Sequence, residues 1–271
     1  MTTVQLNNEE EQEVLYEVKD YIATITVNRP DSQNTISGPM LNAVTQCLKD
    51  ANRDPEVRVI VLRGKGRFFC AGLDIRAQTQ GQGIGSGSSG PTTNLDLSHT
   101  PPTVLHGVDK PTICALGSAA GYGMDMAVGC DIRIMAESAK LSAAFAKRGL
   151  LPESGGTWLL PKIVGWSKAA ELIFTGRILT AAECLEMGLV SQVVPDDQLE
   201  NATNKLAREI AANAPLAVQA AKRMMRMGLN EPFLEHVHHV FLQLLPLMQT
   251  EDLKEGMMAF LEKREPKFKG K

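Results

Sequence analysis

Residues 111–156 constrain the fold of this chain more than any other stretch. An apolar strand, Thr112 to Leu116, runs into the small-residue series Gly117-Ser118-Ala119-Ala120-Gly121-Tyr122-Gly123, which opens an apolar segment at Met124. A strand that enters a helix through such a junction leaves main-chain N–H groups unpaired and pointing one way. A second strand, Asp131 to Ala136, leads to Leu150-Leu151-Pro152-Glu153-Ser154-Gly155-Gly156, where a carboxylate stands among apolar neighbours just before another helix. One part offers hydrogen bonds to a negative oxygen; the other offers a base.

The same strand-and-helix alternation extends to both sides. Val14 to Val18 and Tyr21 to Val27 alternate with period two around Lys19-Asp20, which predicts a hairpin with an apolar face. Ser37 caps a helix that has Pro39 in its first turn and Met40, Leu41, Val44 and Leu48 on one side. Val57 to Leu62 is a strand, and Phe68 to Ile75 is an apolar run broken at Gly72. Beyond Pro161 come a helix over Ser167 to Thr175, a capping box at Thr180-Ala181-Ala182-Glu183 and a last strand within 188–194. No strand pattern follows Val194, and helices are expected over 198–213, 215–227, 233–245 and 251–263. The chain is therefore expected to be α/β, with a core over residues 1–195 and a helical region over 196–271.

Composition removes several classes. A chain of 271 residues is close to the upper size of one hydrophobic core. A net charge of −3 argues against general nucleic-acid binding, which needs a basic face. No apolar run reaches the ~18 residues of a membrane span. Five cysteines stand singly without C-x-x-C, and five histidines include no H-E-x-x-H, so reduced thiols in a cytoplasmic setting and no metal are expected. The acidic start, MTTVQLNNEEEQE, fits neither a secretory nor a mitochondrial presequence. Gly81 to Pro91 is of low complexity and reads as a mobile loop; its G-x-G-x-x-G, Gly85 to Gly90, has no strand before it and does not argue for a dinucleotide.

Each chemical candidate has a structural reading beside the functional one. The turns at 69–74 and 117–123 need small residues for close packing, yet two strand-end turns can also aim two N–H groups at one oxygen, as acyl chemistry requires. Glu153 suits the start of a helix through its dipole, and a carboxylate desolvated by Leu150, Leu151 and Pro152 equally suits proton transfer near neutral pH. Asp125, between Met124 and Met126, needs a partner or a role. Asp131 and Arg133 read as a structural pair, and Met224, Met225 and Met227 as helix packing.

Taken together, certain stretches resemble the crotonase superfamily, the enoyl-CoA hydratase/isomerase family, over nearly the whole chain. They are Ala23 to Pro30 with Asn34-Thr35-Ile36, Arg67 to Ile75, Pro111 to Ala139, Lys147 to Gly165, Phe174 to Val194 and Glu255 to Phe268. The resemblance implies a crotonase-like spiral of ββα units, a C-terminal helical trimerisation region, and a homotrimer or dimer of trimers. It also implies an acyl-CoA substrate, with coenzyme A carried by that substrate and no separate cofactor. By position, the main-chain amides of Leu73 and Tyr122 would hold the thioester oxygen, although many relatives have glycine at 122. Asp125 aligns with one glutamate of the hydratase pair, Phe145 replaces the other, and Glu153 falls where isomerases keep a single carboxylate. Ala71, Asp74 and Ile75 would surround the adenine with Phe260 near it, and Arg29 or a basic tail at Lys263, Arg264, Lys267, Lys269 and Lys271 would meet the phosphates. Several relatives have a lysine for this where Asp31 stands. Gly121 and Phe145 would line the acyl site, capped by residues 81–107. Double-bond isomerisation is the expected reaction; hydration, thioester or carbon–carbon hydrolysis, and CoA binding without turnover are the alternatives.

Overall fold

In a computed structural model, which describes residues 12–76 and 101–271, the expected hairpin is Val14–Lys19 (β1) antiparallel to Ile22–Val27 (β2). Alternation divides β2 between two faces: Ala23, Ile25 and Val27 enter the main core, while Ile22 turns to the other side. Gly38–Arg53 (α1) is capped as its sequence predicts, with the Ser37 side chain accepting from the Met40 N–H, and it buries Met40, Leu41, Val44 and Leu48.

From here the chain repeats one move. Val59–Gly64 (β3) lies parallel to β2, and Phe68–Cys70 (β4) then leaves for a second sheet. Pro101–Gly107 (α2) packs on α1. Thr112–Leu116 (β5) pairs with β3, Ser118–Ala120 (β6) pairs with β4, and Tyr122–Gly129 (α3) follows. Ile132–Ala136 (β7) joins β5 and Lys140–Ser142 (β8) joins β6. Each turn gives one strand to a large sheet and one to a small sheet before a helix, which is the spiral of ββα units. Gly117 stands at one such crossing, where an added Cβ would come within 2.5 Å of the Arg67 carbonyl oxygen.

Gly156–Val164 (α4) and Trp166–Thr175 (α5) precede Ile178–Thr180 (β9), antiparallel to β8. The Thr180 capping box opens Ala181–Glu186 (α6), and Gln192–Val194 (β10) completes the large sheet beside β7. The sheets run β1-β2-β3-β5-β7-β10 and β4-β6-β8-β9. A largely parallel sheet is covered on both faces. Here Leu199–Ala211 (α7) does this on the outer side, where Ala207 and Ala211 meet Ile22, Val59, Val61 and Ile113. Pro215–Gly228 (α8), Phe233–Leu247 (α9) and Glu251–Glu262 (α10) follow.

The chain end is tied down twice. Buried Asp252 accepts from the N–H groups of Lys269 and Gly270, while its own N–H donates to the Lys271 carbonyl oxygen. Arg58 donates to the carbonyl oxygens of Ala211 and Phe268.

Several expectations need correction. Strands β8 and β9 were not expected, since three residues are too few to show alternation. Helix α3 begins at Tyr122 and not at Met124, because the small-residue series resolves into β6 and a turn at Gly121 with φ 53°. Asp131 and Arg133 are both structural but are not a pair: Asp131 accepts from Thr112 and faces Lys222, whereas Arg133 donates to the carbonyls of Leu189 and Cys130. Met225 is 75% exposed in the single chain and does not pack. The loop at 81–91 and its glycine motif lie outside the described residues. Among the described residues, no helix is long and apolar enough to cross a membrane.

Candidate active site

The first half of the site is made of main chain. Buried Asn34 donates to the carbonyl oxygens of Lys65 and Phe68 and accepts from the Arg29 N–H, fixing the segment ahead of α1. From that segment Ile36 bridges to Leu73: the Ile36 N–H donates to Gly72 O at 2.9 Å, and the Asp74 N–H donates to Ile36 O at 3.0 Å. A parallel bridge of this form uses the groups of residues 72 and 74, so the N–H of Leu73 points the opposite way.

Across from it, α3 starts at Tyr122. The N–H of Asp125 makes the helical bond back to Gly121 O, and the Tyr122 N–H has no acceptor inside the helix. The two turns are pressed together. A Cβ on Gly72, whose φ is +109°, would lie 3.1 Å from Ala120 O and 3.9 Å from the Tyr122 nitrogen. A Cβ on Gly123 would fall 2.0 Å from the Cys70 carbonyl oxygen. Glycine at 72 and 123 is thus the condition for this close approach.

The second half is carboxylate. Asp125 lies three residues after Tyr122, on the same side of α3, and is 2% exposed. Its Oδ2 accepts from the Ser154 N–H at 3.2 Å, and the Gly156 N–H also bonds to it. Gly156 leaves room for this, since a Cβ there would lie 2.1 Å from Asp125 Oδ1. Burial pushes the Asp125 carboxyl up to about 7; the charge of Glu153 adds to the rise, and the two N–H bonds oppose it. Glu153 is on the turn just above, and desolvation raises its carboxyl too, even though the residue as a whole is exposed. The expected apolar cover is only partial: Pro152 is buried, but Leu150 and Leu151 are 57% and 63% exposed. Phe145 is buried in the same core cluster as Tyr122 and Met124.

The residues expected to bind CoA are more dispersed. Arg29 and Asp74 come together at 3.0 Å, and Glu13 also pairs with Arg29, so these charges largely offset one another. The Ala71 N–H donates to Gln33 O, and Ile75 is exposed. Phe260 and Lys263 are exposed at the end of α10. The basic tail beyond them is partly neutralised, with Arg264 on Glu255 and Glu262 and Lys269 near Glu251. Among the described residues, no group of three or more His, Cys, Asp or Glu side chains could hold a metal ion.

Sequence reasoning found both carboxylates but missed what positions them. Ser154 acts through its main-chain N–H, which no residue type announces. Gly156 left one trace, the glycine doublet directly after Glu153-Ser154.

A ββα spiral whose glycine-packed turns meet beside two carboxylates is the architecture of crotonase-type enzymes. The chain matches the family model for enoyl-CoA hydratase/isomerase over residues 17–271. It is 37% identical over 270 residues to the enoyl-CoA hydratase EchA19 of Mycobacterium tuberculosis, covering 96% of this chain and 97% of that one. To the 1,2-epoxyphenylacetyl-CoA isomerase of Escherichia coli it is 35% identical over 269 residues, covering 95% and 98%. The crystal structure of enoyl-CoA hydratase EchA1 from Mycobacterium marinum superposes with a TM-score of 0.87 at 30% identity, covering 96% of this chain and 100% of that one. The chain belongs to the enoyl-CoA hydratase/isomerase family.

Proposed function

We propose that this enzyme moves a double bond along the acyl chain of an enoyl-CoA. The Glu153 carboxylate takes a proton from an acyl carbon, and the electron pair passes through the double bond to the thioester oxygen. The amides of Leu73 and Tyr122 stabilise the dienolate; removing one such donor costs about two to three orders of magnitude in rate. Glu153 then returns the proton at another carbon, so atoms and charge balance without a redox partner. Asp125 keeps the 153–156 turn in place and adjusts the proton affinity of the site.

One observation carries this preference over hydration. Asp125 is buried and already engaged by two main-chain N–H groups, which leaves Glu153 as the one exposed carboxylate of the pair. A single accessible base suits proton shuttling. Hydration remains the second reading, favoured by the hydratase relatives and by an Asp125 carboxyl that is still partly protonated near neutral pH. Coenzyme A would arrive with the substrate, its adenine against the backbone of 71–75 and its phosphates near the basic tail, with no further cofactor. Five free thiols support a cytoplasmic setting.

Incubation with 2-enoyl-, 3-enoyl- and dienoyl-CoA, with products followed by mass and absorbance, separates the readings. Migration of the double bond without mass change is expected; gain of one water would establish hydration, and free CoA hydrolysis. Glu153→Gln is expected to bind CoA thioesters normally and to lose at least about a hundredfold in turnover. Unchanged turnover would remove Glu153 from the mechanism.

A further inference from the structure

Two buried side-chain atoms among the described residues have no hydrogen-bond partner: Nε of Arg223 and the phenol oxygen of Tyr122. The first belongs to a guanidinium that Asp109 already holds through Nη1. The second is the whole polar content of its side chain. Tyr122 is 4% exposed and shares its core cluster with Phe69, Cys70, Met124 and Phe145. A hydroxyl left unpaired in such surroundings is destabilising, and folded proteins rarely keep one without a use for it.

The place of this hydroxyl indicates its use. At the first position of α3 the Cα–Cβ bond leans toward the helix start, the end at which the Tyr122 N–H also points. The ring therefore borders the space between the turns at 72–73 and 121–122. Asp125 follows on the same side of the helix, and both it and Glu153 act electrostatically on the phenol, though neither is within hydrogen-bonding distance. Burial raises the phenol pKa further, so the group remains a neutral O–H donor throughout the working pH range.

We propose that the Tyr122 hydroxyl determines specificity by donating a hydrogen bond to an oxygen carried on the acyl chain, so that the enzyme takes hydroxy- or oxo-acyl-CoA in preference to hydrocarbon acyl-CoA. This rests on residue 122 bordering the acyl-thioester site. A site with a buried donor rejects ligands that leave it unpaired, which is a stronger filter than fit alone. The binding partner is thus defined by chemistry: a CoA thioester with an oxygen acceptor a few carbons from the carbonyl.

The test uses saturated acyl-CoAs, which bind without reacting. Straight chains with a hydroxyl at carbon 3, 4 or 5 are compared by titration calorimetry with methyl analogues of the same size, on wild type and Tyr122→Phe. At least one hydroxyacyl-CoA is expected to bind wild type about tenfold or more tightly than its methyl analogue, and Tyr122→Phe is expected to erase that ratio. The variant should also melt at a higher temperature, because it loses an unpaired buried group; a hydroxyl with a purely structural bond would give the opposite shift. Equal affinities in wild type, or a preference that survives in Tyr122→Phe, would overturn the proposal. A preserved preference for hydroxyacyl-CoA in wild type, lost in the variant, combined with no double-bond migration would refute only the isomerase reading. Failure of every CoA thioester to bind would refute both.

Discussion

Asp125 is where burial and chemistry are most tightly linked. In the unfolded chain its carboxyl would lose a proton near its ordinary value of 3.8, whereas in the fold it holds the proton to about 7. Between these values the folded state binds more protons than the unfolded one, so stability falls as pH rises through the window and the full penalty stands above it. Asp125→Asn cannot ionise. Its stability relative to wild type should rise between pH 4 and pH 8 by up to about 4 kcal/mol, as measured by urea unfolding at each pH. A difference that stays flat over that range would show that burial does not govern this group. For Glu153, whose carboxyl is also raised, the rise of kcat/KM with pH should begin above the usual carboxylate range.

Among the elements, the turn between Glu153 and α4 has the least freedom. Gly156→Ala would force a Cβ against Asp125 Oδ1, and overpacking of this kind costs about 1–3 kcal/mol. Thermal unfolding should show that loss, and turnover should fall at least about tenfold as Glu153 shifts with the turn. In an Asp125→Ala background the stability cost should shrink, since the clashing atom is gone; a cost unchanged in the double variant would place the strain elsewhere. This contact also marks the limit of what the sequence discloses. Period-two alternation exposed β2, β3 and β5, and Ser37 and Thr180 announced their helix starts, because those signals are local. That Ser154 would donate to a side chain 29 residues earlier is a product of the spiral bringing two of its turns into contact, and no local pattern encodes it. The carboxylates were legible as ionisable groups in apolar company; their division into one engaged and one exposed was not.

At the scale of the molecule, α9 and α10 leave large apolar side chains uncovered in the single chain, among them Phe233, Leu234, Phe241, Phe260 and Leu261 at 61–84% exposure. Apolar patches of this extent mark association surfaces. We infer a homotrimer, or a dimer of trimers, closed through these helices. Sedimentation should give three or six times the 29.4 kDa chain mass, and Phe241→Asp should shift the protein toward smaller species. A wild-type monomer at micromolar concentration would exclude this assembly.

The double fastening of the chain end has a consequence for how the protein is made. Because Asp252 receives Lys269 and Gly270, and Arg58 near the opposite end of the sequence grips Phe268, these joints cannot close until translation is complete. The strand-rich portion can organise during synthesis, while α10 must wait for the last residues to leave the ribosome before it is locked down.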